Sequence, residues 1–139
     1  MFCDGASSGN PGDSGIGVVI KLTEEDAKRP GKDRTYEIAK YIGRATNNVA
    51  EYSALLAGLE KARALGIRKI KIFMDSELMA RQINGIYRVK NENLKPLWIR
   101  VNDLLKDFDY WKVTHVSREM NKEADALARR GVKKKRLEP

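Results

Sequence analysis

The sequence predicts a mixed α/β fold: a five-stranded sheet of three antiparallel strands then parallel additions, with helices on its faces. Three observations carry this. Up to residue 42 the apolar runs are short, β-branched and separated by turn residues. Near residue 48 the apolar spacing changes to helical. From there strands and helices alternate, the pattern that adds parallel strands to a sheet. A chain of 139 residues with 42% hydrophobic content fits one domain with its own core.

Residues 1–6 form a short first strand, and Gly9-Asn10-Pro11-Gly12 is a turn. The apolar run 16–22 is the second strand. Residues 23–33 are charged, contain Pro30-Gly31, and read as a hairpin loop. Residues 34–42 give the third strand, with Tyr36 and Ile38 inward. In 48–65, Val49, Tyr52, Leu55, Leu56, Leu59, Ala62 and Arg63 recur at helical spacing. Asn47 or Asn48 is available as its cap and Gly66 as its stop. Lysine and apolar residues alternate through Lys69-Ile70-Lys71-Ile72, making 67–74 the fourth strand. A second helix covers 76–86, a loop 89–94, and a third helix 95–108, with Pro96 tolerated in its first turn. Residues 111–116 form the fifth strand and 121–130 the last helix.

The net charge of +8 is uneven. From residue 129 onward there are six basic residues and one acid, leaving 21 basic and 18 acidic residues in the body. This favours a polyanionic partner, weakly for the body alone. The tail reads either as a solvated end or as part of a nucleic-acid grip. One cysteine, Cys3, excludes an internal disulfide and fits a reducing compartment. No apolar run approaches membrane-spanning length, and Asp4 lies too near the start for a signal peptide. A cytoplasmic monomer is the expectation.

Four acids stand out: Asp4 on the first strand, Glu51 in the first turn of the first helix, Asp75 at the carboxyl end of the fourth strand, and Asp125 early in the last helix. In open α/β sheets ligands gather at such strand ends. If strands one and four are neighbours, the four carboxylates can surround one or two metals. Hard cations such as Mg2+ prefer oxygen ligands. Two ions about 4 Å apart can clamp an in-line phosphoryl displacement, with Asp75 as the bridging ligand. Taken singly, each acid has a plainer reading: a turn for Asp4-Gly5, helix-dipole compensation for Glu51, a helix-surface acid for Asp125.

The segments around these acids resemble the type 1 ribonuclease H family. They are Asp4-Gly-Ala-Ser-Ser-Gly-Asn-Pro-Gly12, Thr46-Asn-Asn-Val-Ala-Glu51-Tyr52, Asp75-Ser76 and Asn121-Lys-Glu-Ala-Asp125-Ala-Leu-Ala128. The resemblance runs from Asp4 to about Gly131. It implies an endonuclease cutting the RNA strand of RNA–DNA hybrids to 5′-phosphate and 3′-hydroxyl ends, with two Mg2+ or Mn2+ held by Asp4, Glu51, Asp75 and Asp125. It implies further that Gly5, Ser7, Asn10 and their turn approach the RNA strand. Asn47 and Asn48 would read 2′-hydroxyls in the minor groove, unless they serve as helix caps. Arg44, Thr46 and Asn91, or Asn93 in its place, would hold a DNA-strand phosphate.

The chain departs from the pattern twice. Many members carry a long basic insertion between the second and third helices, whereas residues 86–95 offer only Arg88, Lys90 and Lys95. The resemblance is thus to the compact, insertion-free subgroup, whose grip on substrate must come from elsewhere, with Lys133 to Arg136 a candidate. Many members also place a catalytic histidine on a loop before the last helix. Here the sole histidine, His115, reads as a strand residue; Arg118 or Glu119 occupies the loop position, and Arg118 is the candidate stand-in. Trp98 and Trp111 read as core rather than as base-stacking residues. The expected domain covers 1–131, with a basic tail at 132–139. Alternatives are a DNA-processing nuclease of the same fold, or a non-catalytic module binding hybrid or double-stranded RNA. Activity on double-stranded RNA stays open.

Overall fold

The computed structural model describes residues 1–23 and 35–137. The hairpin loop expected at 23–33 therefore lies, from residue 24 on, outside the described residues. In chain order the elements are β1 (Phe2–Ser7), β2 (Gly12–Lys21), β3 (Thr35–Ala45), α1 (Asn47–Ala64), β4 (Lys69–Met74), α2 (Glu77–Ile83), α3 (Lys95–Leu105), β5 (Tyr110–His115) and α4 (Lys122–Lys133). A 3-10 turn, Glu119–Asn121, precedes α4, and another, Lys134–Leu137, continues it.

The sheet order is β3-β2-β1-β4-β5. β1 pairs antiparallel with β2, and β2 with β3. β1 pairs parallel with β4, and β4 with β5. Strands one and four are therefore neighbours, as the acid constellation requires.

Several boundaries moved, each for a physical reason. β2 begins at Gly12 rather than 16, because Gly12, Asp13 and Ser14 pair with Ala45, Arg44 and Gly43. A bulge between Ser14 and Gly15, with Gly43 at φ +90, lets this polar end stay in register. An apolar alternation test cannot see it. The cap of α1 is neither Asn47 nor Asn48 but Thr46, whose Oγ1 accepts from Val49 N at 3.2 Å. Gly66, at φ +81, follows the end of α1 as expected. α2 stops at Ile83, with Asn84 as its C-cap and Gly85 at φ +78 just beyond. α3 ends at Leu105, and Phe108 is buried in the turn after it.

α4 continues past Arg130 to Lys133, so the boundary expected at residue 132 falls inside a helix. Lys134 donates to the Ala39 carbonyl. Lys135 Nζ meets both Asp13 carboxylate oxygens at 3.1 Å. Hydrogen bonds from Lys135 and then Tyr41 hold Asp13 below the usual carboxylate range.

Helices pack on both faces of the sheet, three on one and α4 on part of the other. On one face, Tyr52, Leu55 and Leu59 of α1, Met79 and Ile83 of α2, and Val101 and Leu105 of α3 share a core with Ile70, Ile72 and Met74 of β4. Tyr52 Oη donates to Gln82 Oε1 at 2.7 Å inside this core. Arg63, at the helical spacing of the apolar residues, is exposed and paired with Asp107 at 2.9 Å. Trp98 and Trp111 pack partly buried against the core, as expected. α4 covers the other face of β1, β2 and β3.

Each helix layer is seated on glycine. A Cβ on Gly5 would lie 2.4 Å from the Ala50 carbonyl carbon of α1. A Cβ on Gly17 would lie 2.1 Å from the Ala124 carbonyl oxygen of α4. Side chains at either position would push a helix off the sheet.

Candidate functional site

Those two seats assemble the acids. Asp4 lies at the centre of β1, opposite Gly17 and beside Gly5. Because Gly5 admits the α1 backbone, Glu51 hangs directly over β1. Asp75 follows Met74, the last residue of the neighbouring parallel strand. Carboxylate oxygens of Asp4, Glu51 and Asp75 lie within 4.8 Å of one another. Asp125, in the first turn of α4, joins the set through a hydrogen bond with Asp4. It also pairs with Arg129 one turn further along at 3.2 Å. All four acids line one open cavity of about 640 Å³.

The electrostatics are those of a site built for positive charge. Asp4, 7% exposed, is pushed up to about 8, first by burial, then by Asp75, Asp125 and Glu51. Glu51 is pushed up to about 7, chiefly by burial, against a hydrogen bond from Ser76. Protons are thus retained where a cation would relieve the same repulsion. The donors are all carboxylate oxygens, the set that suits a hard divalent ion rather than a soft one. The residues fit the metal that the fold family implies. Cys3 is no competitor as a ligand or nucleophile, since burial pushes its thiol up to about 12.

The other expected residues are placed unevenly. Gly5, Ser7, Asn47 and Arg118 line the acid cavity. Arg118 is close enough for its charge to act on Glu51. His115 is the exposed last residue of β5 and is not among the residues lining the cavity. Asn10 Oδ1 accepts from Asn47 N at 3.2 Å, tying the glycine turn to the start of α1. Ser7 Oγ donates to the Ala45 carbonyl at 3.1 Å. Asn48 and Arg44 are exposed beside this junction. Asn91 lies in the turn before α3, where its Oδ1 accepts from Asn93 N at 2.8 Å. Among the described residues no hydrogen bond joins Asn91 to Arg44 or Thr46.

Sequence reasoning missed the parts played by Arg129 and Asn121, and named Lys133 only as part of a basic tail that could grip substrate. Arg129 and Lys133, on the exposed side of α4, line the acid cavity with Arg118 and give it a cationic rim. The spacing of Asp125 and Arg129, one helical turn, was the available signal. Asn121, 1% exposed, donates from Nδ2 to the Cys3 carbonyl at 2.9 Å and pins the start of α4 beside Asp4.

A family model described as reverse transcriptase-like matches residues 2–131. A protein named ribonuclease HI from Halobacterium salinarum is 41% identical over 127 residues, covering 91% of this chain. The chain spans 60% of that relative's length and 33% of the mycobacterial relatives it also matches. The crystal structure of RNase H1 from Halobacterium salinarum has a TM-score of 0.84 at 39% identity, covering 95% of both chains. LC11-RNase H1 in complex with RNA/DNA hybrid has a TM-score of 0.84 at 36% identity, covering 99% of this chain and 97% of that one. All five strands and all four acid-bearing positions fall inside the matched span, and the chain belongs to the type 1 ribonuclease H family.

Proposed function

We propose that this protein is a divalent-metal-dependent endoribonuclease that hydrolyses the RNA strand of RNA–DNA hybrids, leaving 5′-phosphate and 3′-hydroxyl ends. The observation that carries the reading is the meeting of Asp4, Glu51 and Asp75 oxygens within 4.8 Å at the end of a parallel strand. The family depends on divalent metal, and the carboxylate cluster is present here. The relatives named ribonuclease H and the hybrid complex of LC11-RNase H1 support the substrate class.

Asp4, Glu51, Asp75 and Asp125 would hold the ions, with two Mg2+ or Mn2+ as the assignment. Such ions, when bound, supply charge for the reacting phosphate and lower the pKa of an attacking water. The chain's own groups do the rest. Arg129 restrains Asp125 from the solvent side. Arg118 offers charged hydrogen bonds to the oxygens of the scissile phosphate. Asn47 presents an amide to the cavity, able to donate to and accept from a 2′-hydroxyl, and Asn48 stands next to it. The Gly5-to-Gly12 segment, including Ser7 and Asn10, brings backbone close to the RNA strand. Arg44 meets the DNA strand with Thr46, whose hydroxyl proton stays available after its oxygen has capped α1. Asn91 is assigned to the same phosphate.

A cytoplasmic location belongs to this proposal, supported by the single buried and unpaired cysteine. No helix among the described residues is long and apolar enough to cross a membrane.

The test is cleavage of labelled hybrid, double-stranded RNA and DNA duplex, each with Mg2+, Mn2+ or chelator. Cutting of the hybrid with metal and none with chelator is expected. A hybrid left intact with both metals, or cut in chelator, overturns the proposal. Cutting of DNA duplex in preference to hybrid would transfer it to the DNA-processing class.

A further inference from the structure

α4 shields β1, β2 and β3, but the same face of β4 and β5 carries no helix among the described residues. The burial alternation shows it: Ile70, Ile72 and Val113 point into the core, while Lys69, Lys71, Tyr110 and Lys112 point out. Parallel register sets Lys69 beside Tyr110 and Lys71 beside Lys112. Phe73, next along β4, stacks on Phe2 of β1 with ring centroids 4.8 Å apart. The result is a groove of about 400 Å³ running from Phe2 and Phe73 to Tyr110, which is 46% exposed.

A solvated sheet face would account for the lysines but not for three aromatic rings among them. Among the described residues no acid lines this groove. The acids at its margins are already paired, Glu123 with the groove-lining Lys21 at 3.4 Å and Asp109 with Arg68 at 2.8 Å. Lys69, Lys71 and Lys112 have no ion pair among the described residues. Successive outward lysines on one strand stand about 6.7 Å apart, two strand rises. A row of cations beside an exposed aromatic ring is a recognised means of holding a single strand through phosphates and a stacked base.

We propose that this face of β4 and β5 is a second nucleic-acid site, one that binds single-stranded nucleic acid. Lys69, Lys71 and Lys112 meet the phosphates and the exposed Tyr110 ring receives a base, while Phe2, stacked on Phe73 with Lys21 over its ring at 5.6 Å, walls the groove. The surface lies on the same sheet face as Asp4, beyond the Glu119–Asn121 turn. It therefore suits an unpaired extension of a nucleic acid engaged at the acid cluster. The proposal does not depend on catalysis.

The experiment is fluorescence anisotropy of a labelled 15-nucleotide oligo-dT with the full chain in chelator, at several salt concentrations. The comparison is with the triple variant Lys69→Ala, Lys71→Ala, Lys112→Ala and with Tyr110→Ala. The triple variant is expected to bind on the order of tenfold more weakly at low salt. Its log–log salt slope should be smaller by about two, from three phosphates at roughly 0.7 each. Tyr110→Ala is expected to lose about fivefold with the slope unchanged. Cleavage of a blunt hybrid by either variant should stay within about twofold of wild type. Equal oligonucleotide binding by wild type and the triple variant overturns the proposal. So does a lysine-dependent face that drives self-association in sedimentation, or that binds anionic vesicles, without binding the oligonucleotide. Because binding is read in chelator, an inactive protein could still pass, which separates this test from that of the nuclease reading.

Discussion

Removing one charge from the acid cluster should make the metal-free protein more stable. Asp4 in the folded chain is pushed up to about 8, whereas its ordinary value is 3.8. Between these two values the folded state holds a proton that the unfolded state has released. Stability contributed by this group is therefore full near pH 4 and declines as pH rises toward 8. At about 1.36 kcal/mol per tenfold change in proton affinity, the full window corresponds to a ceiling of roughly 6 kcal/mol. Asp4→Asn removes the ionisation but also disturbs the hydrogen bond with Asp125, so a net gain on the order of 2–3 kcal/mol at pH 8 is expected. Urea unfolding of chelator-treated wild type and Asp4→Asn from pH 4 to 8.5 measures it. The variant should be slightly less stable than wild type at pH 4, where only the disturbed hydrogen bond counts, and should overtake it steadily as pH rises. Excess Mg2+ or Mn2+ should then stabilise wild type more than the variant, closing the gap. A gap that does not change with pH, or a variant less stable throughout, would refute the electrostatic account of the cluster.

Gly17→Ala forces a Cβ to within 2.1 Å of the Ala124 carbonyl. It should cost about 2–3 kcal/mol or more by thermal unfolding and lower hybrid cleavage, because Asp125 rides on the displaced helix. Arg118→Ala should reduce turnover by about 10–100-fold, whereas His115→Ala should leave it within about twofold. The reverse ranking would return the role to the histidine. Lys133→Ala should weaken hybrid binding at low salt and reduce the salt slope by about one. Lys135→Ala, which removes only the exposed pair with Asp13, should leave that slope unchanged.

The order of elements and the four acids were legible because each rests on a local signal. Apolar periodicity marked the strands and helices, and short flanking patterns marked Asp4, Glu51, Asp75 and Asp125. What stayed hidden was set by tertiary contact. The polar start of β2 is a strand only because Gly43, Arg44 and Ala45 are there to pair with it. Residues 132–137 read as a loose basic tail, yet Gly131 lets the end of α4 press on Lys40, where a Cβ would meet the carbonyl oxygen at 2.5 Å. The Thr46 cap was displaced in the reading by two equally good capping residues directly after it. Arg129 looked like a solvated charge and Lys133 like part of a basic tail, because a helical wheel does not show which cavity the exposed side overlooks.

The two glycine seats have a consequence for transplanting this site. Main chain touches main chain at Gly5 and at Gly17, so the separation of the acids is fixed by backbone contact rather than by core side chains. Repacking Leu55 or Ile72 would leave that separation almost untouched. A graft of Asp4, Glu51, Asp75 and Asp125 onto another sheet would need both glycines copied with them. Without them, the recipient's helices would stand a side chain's thickness too high, and four correctly chosen carboxylates would not meet.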